Sequence, residues 1–158
     1  MKPIALDTNL LLLLVVGQVA PTFISRHKRL QSYNARDFDL LLRALGRSKV
    51  LVVIPQSIAE ASNLTVQGVA EPLRSRLYLS LKSIIDRSEE ASVTSATAAS
   101  QGEYPRLGIT DAAWLSMLSE DTVLLTDDSA LYMAAHHRGC EVINFSHLRA
   151  TQDVHSKR

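Results

Sequence analysis

The stretch Ile4-Ala5-Leu6-Asp7-Thr8-Asn9, followed at once by an apolar run from Leu10 to Val16, decides the fold of this chain. Three apolar residues that end in a single carboxylate suit a buried parallel strand, because both faces of such a strand are covered. The run that follows is too short to cross a bilayer and predicts a helix packed into a core. We therefore expect Asp7 at the carboxyl end of a central strand, where α/β sheets bind their ligands.

Two interpretations of Asp7 are open at this point. A charge held among apolar neighbours has to be neutralised, and a bound cation is one means of doing so. Alternatively, Asp7 only caps the helix that follows it, a role that Thr8 or Asn9 could fill equally well. This stretch alone does not decide between the two.

Composition predicts one domain with an aliphatic core. The chain has 158 residues, 46% of them hydrophobic, and Trp114 is its single Trp, which suits one compact domain. We place this domain at residues 1–150 and expect a flexible tail at 151–158. A single cysteine, Cys140, excludes an internal disulfide framework and suits a reducing cytoplasm.

The location and partners of the chain are constrained by its hydropathy. Acidic and amide side chains separate Lys2 from the first apolar run, which is unusual for a secretory signal. No segment approaches the ~18 apolar residues of a membrane span. We therefore expect a cytoplasmic protein that does not contact a membrane.

Apolar runs and helical patterns alternate along the rest of the chain, with few hairpin signals. This order predicts an α/β fold, a three-layer α/β/α sandwich around a central, mainly parallel twisted sheet. No glycine-rich phosphate loop is present, which argues against a nucleotide-binding site of that kind. The predicted strands are 4–6, 50–54, 92–95, 123–126 and 141–144, and the predicted helices are 10–16, 35–45, 57–64, 72–87, part of 97–100, one capped by Thr110, and 129–137.

Acidic residues recur at matching places in this pattern. Asp7 ends the first strand, Glu60 lies one turn inside the helix after the second, Asp111 opens a helix, and Asp127 with Asp128 follows strand 123–126. In a parallel sheet with helical crossovers, all of these places face one crevice at the carboxyl edge. Each acid by itself has an ordinary explanation as a cap, turn or surface residue, so it is their common position that indicates a site.

Clustered carboxylates need a cation between them, because like charges within a few ångströms raise each other's pKa. Oxygen ligands without a His or Cys cluster favour one or two Mg²⁺ or Mn²⁺ ions over zinc. Such ions activate water for attack on a phosphodiester. Thr8, Asn9 and Thr126 would then orient the carboxylates or waters. His136 and His137 lie at a helix end that favours imidazolium, so we do not expect them to bind metal.

The net charge supports the same substrate class. The chain has 17 basic residues against 16 acids, and removing the five proposed site acids leaves the remainder with a net charge of +6. A basic body around an acidic, cation-filled pocket suits a phosphodiester substrate. This argument holds only if the five acids are clustered.

The ordered set of motifs resembles the PIN-domain family of nucleases and extends over residues 4 to about 145. The resemblance implies hydrolysis of phosphodiester bonds, usually in RNA, at a metal-binding acidic quartet. Many bacterial members of this size, the VapC-like ones, are toxins paired with an antitoxin and often form homodimers. The matching segments are Leu6-Asp7-Thr8-Asn9, Pro55-Gln56-Ser57-Ile58-Ala59-Glu60, Ile109-Thr110-Asp111-Ala112 and Leu125-Thr126-Asp127-Asp128-Ser129-Ala130-Leu131.

The resemblance leaves two questions open, the identity of the fourth acid and the activity of the chain. The family's spacing before Leu131 favours Asp128 as the fourth acid, whereas Asp127 lies nearer the strand, so both stay candidates. The main expectation is an endoribonuclease that cleaves single-stranded or structured RNA. The alternatives are a PIN-like binding or scaffold module without turnover and a nuclease that acts on DNA. A phosphatase with Asp7 as nucleophile ranks last, because that chemistry usually needs an acid where Asn9 stands.

Overall fold

A five-stranded, all-parallel sheet is the centre of the molecule, in a computed structural model that describes residues 2–46 and 50–157. The strand order is β3-β2-β1-β4-β5, so β1 is the middle strand, as its uninterrupted apolar sequence predicts. In chain order the strands are β1 (Ile4–Leu6), β2 (Leu51–Val53), β3 (Glu89–Glu90), β4 (Val123–Thr126) and β5 (Val142–Asn144).

Helices connect the strands and cover both faces of the sheet. In the described part of the chain they are α1 (Thr8–Val19), a 3-10 helix (Pro21–Arg26), α2 (Ala35–Leu45), α3 (Pro55–Thr65), α4 (Leu73–Asp86), α5 (Ser95–Ala99), α6 (Tyr104–Leu107), α7 (Ile109–Met117), α8 (Ser129–His137) and α9 (Phe145–Ser156).

Successive residues of the central strands point into two separate hydrophobic clusters. Ile4 and Leu6 of β1 join the cluster formed by α1, α2 and α4, whereas Ala5 between them joins the cluster formed by α5, α7 and α8. Leu124 and Leu125 of β4 divide in the same way. Because strand side chains alternate between faces, this division places one helical layer on each side of the sheet. The predicted three-layer α/β sandwich is confirmed.

Helix α1 is enclosed on all sides, as the apolar run predicts. Its residues from Leu10 to Val16 are at most 3% exposed, and the helix packs against α2, α3 and α4. Asp7 at its N-terminus is therefore anchored by one of the most buried segments of the molecule.

Among the helices of the described residues, none combines the length and the hydropathy that a membrane span requires.

Two predicted elements lie elsewhere in the structure. The edge strand expected at 92–95 is wrong: β3 is Glu89–Glu90, which pairs with β2 through Val52 and Val53, and residue 95 already belongs to α5. Thr110 does not cap its helix. Gly108, with φ +86°, is the N-cap of α7, and Thr110 lies inside the helix with its hydroxyl bonded to Glu60.

The C-terminal residues from 151, for which the sequence predicts a flexible tail, begin inside a helix. Helix α9 continues to Ser156, because contacts near its N-terminus anchor it. Phe145 is fully buried, and Nε of Arg149 lies 3.0 Å from Oδ1 of Asp37 in α2. The same guanidinium stacks over the ring of Tyr33, 5.1 Å from its centroid. The segment from Gly17 to Tyr33, which connects α1 to α2, contains the 3-10 helix.

Candidate functional site

The sheet reverses its direction of growth between β1 and β4, and a cavity of about 240 Å³ opens there at the carboxyl edge. From β1 the chain first adds β2 and β3 on one side, then returns to add β4 and β5 on the other. Such a switch point is where open α/β sheets bind ligands, because the connections leave in opposite directions. Four carboxylates line the cavity, those of Asp7, Glu60, Asp111 and Asp128.

Asp7 is buried, 5% exposed, and its orientation is fixed by three donors. Oδ1 accepts a hydrogen bond from N of Leu10 at 2.9 Å, so Asp7 does cap α1. Oδ2 accepts from the Thr126 hydroxyl and from N of Asp127. A carboxylate has about four acceptor positions, so capping the helix and facing the cavity are compatible roles for this side chain.

Thr126 links the two strand ends that flank the cavity. Its hydroxyl donates to Asp7 and accepts from N of Asp128 at 3.0 Å. Thr126 is fully buried, so its bond to Asp7 is shielded from water and joins the ends of β1 and β4 at this edge. The Thr126 hydroxyl is one of the donors that fix the orientation of the Asp7 carboxylate.

Asp127 and Asp128 point in different directions. Asp128 lines the cavity and caps α8, with Oδ1 accepting from N of Leu131 at 2.9 Å. Asp127 is not among the residues that line the cavity. Its carboxylate accepts hydrogen bonds from the hydroxyls of Tyr33, at 2.5 Å, and Ser146. The structure therefore brings Asp128 to the other acids and uses the Asp127 side chain to tie α9 and the segment before α2 to β4.

Glu60 and Asp111 come from helices rather than strand ends. Glu60 is exposed on α3, and its Oε2 accepts from the hydroxyl of Thr110 at 2.8 Å. Asp111 is half-buried in the first turn of α7, next to Thr110. The bond between Thr110 and Glu60 therefore joins α3 to α7 across the mouth of the cavity.

Thr8 and Asn9 both line the cavity from the start of α1. Thr8 is buried, and its hydroxyl lies 3.2 Å from that of Ser57 in α3. Asn9 is exposed at the rim. Thr8 thus connects α1 to the helix that carries Glu60, whereas the structure gives Asn9 a position beside the acids without a fixed contact to them.

The negative charges of the cavity carboxylates repel one another. Burial is the main cause that raises the pKa of the Asp111 carboxyl from 3.8 to about 7. The charges of Asp128, Asp7 and Glu60 raise it further. Burial also raises the pKa of Asp7, although its hydrogen bonds act in the opposite direction. Within the described residues, the ion pairs include none of these four acids.

The donor set fits a hydrated divalent cation better than a fully protein-coordinated one. In residues 2–46 and 50–157, no group of three or more His, Cys, Asp or Glu side chains is arranged to hold a metal ion. The acids surround the cavity instead of meeting at one point. Mg²⁺ does not require such convergence, because it is usually bound by one or two carboxylates and keeps several waters. The surplus negative charge and the hard oxygen donors suit such an ion.

Sequence reasoning missed the residues that support the acids. Tyr33, Ser146, Ser57 and Thr110 each bond to a predicted site residue through a hydroxyl. Tyr33 and Asp127 are separated by 94 positions in the chain, and no local pattern marks such a pair.

Comparison with protein-family models gave no match, and comparison with curated proteins gave none either.

Proposed function

We propose that this chain is a PIN-type nuclease that hydrolyses phosphodiester bonds with the help of a divalent cation, and that RNA is its substrate. One observation carries the proposal: four carboxylates line a single cavity at the switch point of the sheet, and among residues 2–46 and 50–157 no basic side chain lines it with them. Carboxylates that face each other without a cation destabilise the fold. A site that holds a cation during function accounts for their retention.

Hydrogen bonds within the chain fix the orientation of two of the site carboxylates in the absence of a ligand. Asp7 accepts hydrogen bonds from three donors, and Asp128 accepts one as the cap of α8. Both side chains are therefore preorganised. Asp7, Asp128, Asp111 and Glu60 would hold Mg²⁺ or Mn²⁺, as one or two ions. When bound, such an ion lowers the pKa of a water and stabilises the developing charge on a phosphodiester. The mouth formed by α3 and α7 admits the substrate.

The substrate class rests on charge and on the resemblance. Outside the cavity acids the chain has an excess of basic residues, which favours a polyanion over a small neutral ligand. The PIN-like order of motifs favours RNA over DNA. The same resemblance predicts an antitoxin partner, a homodimer and a cytoplasmic location, and these stay predictions.

A PIN-like binding module without turnover is the second candidate. It is favoured by the arrangement of the acids, which surround the cavity without three of them converging. A module would bind nucleic acid and leave it intact, whereas the nuclease would cleave it only with a divalent cation. The two candidates therefore differ in one measurable product.

Cleavage of labelled oligonucleotides separates the candidates. Single-stranded and structured RNA and DNA are incubated with the purified chain in Mn²⁺, Mg²⁺ or a chelator. We expect RNA cleavage with either ion, none with the chelator, and none with Asp7→Asn. Asn caps helices as well as Asp, so this variant keeps the cap of α1. Glu120→Gln, an exposed acid that does not line the cavity, is the matched control. Intact RNA and DNA under all conditions would refute the nuclease.

A further inference from the structure

Three aromatic side chains form a cluster on α8 and α9. The rings of Tyr132 and His136 in α8 stack with centroids 6.0 Å apart and planes inclined by 13°. The ring of His147 in α9 meets Tyr132 edge-on at 5.8 Å. Both histidines are exposed and Tyr132 is half-buried, so the cluster presents ring surface to solvent. We call these three residues the ring cluster.

The topology places the starts of the two helices that carry the ring cluster at the sheet edge that contains the cavity. Helix α8 follows β4 and helix α9 follows β5, and these two strands are parallel neighbours. Both helices therefore start at the carboxyl edge that contains the cavity. Asp128 lines the cavity and caps α8, and N of Tyr132 donates to its carbonyl oxygen at 2.9 Å. Tyr132 and His136 follow Asp128 at intervals of four, which places them on one face of α8.

We propose that the ring cluster stacks the bases of a single-stranded nucleic acid whose backbone enters the carboxylate cavity. Every base has a π face, and stacking on exposed aromatic rings is how proteins bind single strands without reading their sequence. A duplex keeps its bases stacked on each other and cannot offer them in this way. The inference rests on the proposed function, because it supplies a path for the substrate of that site.

Packing of α8 against α9 is the competing explanation for the same rings. It requires apolar contact area, which an aliphatic side chain also provides, whereas base stacking requires an aromatic ring. Tyr132→Leu therefore removes the ring and keeps an apolar body, and Tyr132→Phe keeps the ring. Met133, exposed on the same helix and outside the cluster, supplies the control variant Met133→Ala.

The test is fluorescence anisotropy with a labelled oligonucleotide in a chelator, so that binding is measured without cleavage. The probes are a single strand of mixed sequence, as RNA and as DNA, the same strand with abasic residues, and its duplex. We expect the wild-type chain to prefer the base-bearing single strand. Tyr132→Leu should weaken that binding about tenfold, as loss of one stacked base implies. Tyr132→Phe and Met133→Ala should bind like the wild type.

Several outcomes would overturn the inference. These are equal affinity for the abasic and base-bearing strands, a preference for the duplex, or unchanged binding by a folded Tyr132→Leu. If that variant melts below its parent, the abasic comparison on the wild-type chain decides the question alone. Cleavage is not part of this readout. Ring-dependent binding without cleavage would support the inference and refute the nuclease. Cleavage without base-dependent binding would support the nuclease and refute the inference.

Discussion

The hydroxyl of Thr126 donates a hydrogen bond to Oδ2 of Asp7, 119 positions earlier in the chain. The bond is buried and joins the ends of the two strands that flank the cavity. A hydrogen bond to a charged group contributes about 1.5–3 kcal/mol. Because the same hydroxyl also accepts from N of Asp128, one oxygen controls the geometry at both strand ends.

Replacement of Thr126 by Val should destabilise the protein and reduce cleavage. Val has nearly the same shape but leaves Asp7 with one donor fewer and N of Asp128 without its acceptor. We expect a loss of about 1–3 kcal/mol in the free energy of unfolding, measured with urea. Thr126→Ser keeps the hydroxyl and should retain most of the stability and activity. Equal stability and cleavage in the Val and Ser variants would contradict the role of this bond.

The two adjacent acids after β4 should respond differently to removal of their charge. Asp128→Asn keeps the cap of α8, since Asn and Asp cap helices equally well, and should lose cleavage by about 100-fold or more with little change in melting temperature. Asp127→Asn weakens the bonds to Tyr33 and Ser146 and should mainly lower the melting temperature.

Tyr33→Phe provides an independent check on Asp127, because it removes only the hydroxyl that bonds to that carboxylate. We expect it to destabilise the fold in the same direction as Asp127→Asn, by about 1 kcal/mol. The opposite pattern, in which Asp127→Asn abolishes cleavage and Asp128→Asn leaves it intact, would exchange the roles of the two acids.

The sequence predicted the cavity acids because their positions follow from topology alone. Once strands and helices alternate in a parallel sheet, an acid after β1 or β4 has to face the carboxyl edge, as Asp7 and Asp128 do. Topology alone did not choose between Asp127 and Asp128, since both lie just after the strand, and only the family's spacing before Leu131 favoured Asp128. The choice depends on Tyr33, a residue far away in the chain whose hydroxyl binds Asp127.

The C-terminal helix shows the same limit. Phe145 is the buried residue of α9. Most of the other residues in this segment are polar, a composition that is typical of a tail. The contact of α9 with α2 is made by Arg149, which reaches Asp37 across 112 positions. The start of α7 was also predicted at the wrong residue. The N-cap is Gly108, and Thr110 bonds to Glu60 instead of capping the helix. In both α9 and α7, the structure contains polar contacts between residues far apart in the chain, which the local sequence does not reveal.

The stability of the metal-free protein should fall as the pH rises towards and past neutrality. The folded state raises the pKa of Asp111 from 3.8 to about 7, so it binds this proton more tightly than the unfolded chain does. The resulting stabilisation is complete below about pH 4 and is lost as the pH rises through about 7. The raised pKa of Asp7 acts in the same direction.

Urea unfolding in a chelator at about pH 5 and about pH 8 tests this dependence. Wild type should lose about 1–2 kcal/mol more than Asp111→Asn between the two conditions, less than the full shift implies because Asp111 is only half-buried. Asp121→Asn, an exposed acid that does not line the cavity, should keep the wild-type slope. A slope that Asp111→Asn leaves unchanged would mean that this carboxyl is not buried among its neighbours' charges as the structure shows.

Close packing between α1 and α2 should make Gly17 intolerant of a side chain. A Cβ at Gly17 would lie 2.1 Å from Cδ2 of Phe38, a ring that is 8% exposed. Ala in place of Gly improves helix propensity by about 1 kcal/mol, but overpacking costs about 1–3 kcal/mol. We expect Gly17→Ala to lower the melting temperature, and Phe38→Leu in the same chain to restore part of it.

Gly102 is the matched control, because a Cβ there would have no atom of the described residues within 4 Å. Gly102→Ala should leave the melting temperature unchanged or slightly higher. If Gly17→Ala is as stable as the wild type, the two helices are not in the close contact that the structure shows.

Calorimetric titration of Mn²⁺ into the purified protein tests the central claim most directly, because it asks whether the cavity acids bind a divalent cation without requiring the correct nucleic acid. We predict binding by the wild-type chain and by Asp121→Asn, and at least about tenfold weaker binding by Asp128→Asn and by Asp111→Asn. The absence of Mn²⁺ binding to the wild-type chain, or equal binding by all four proteins, would contradict the account.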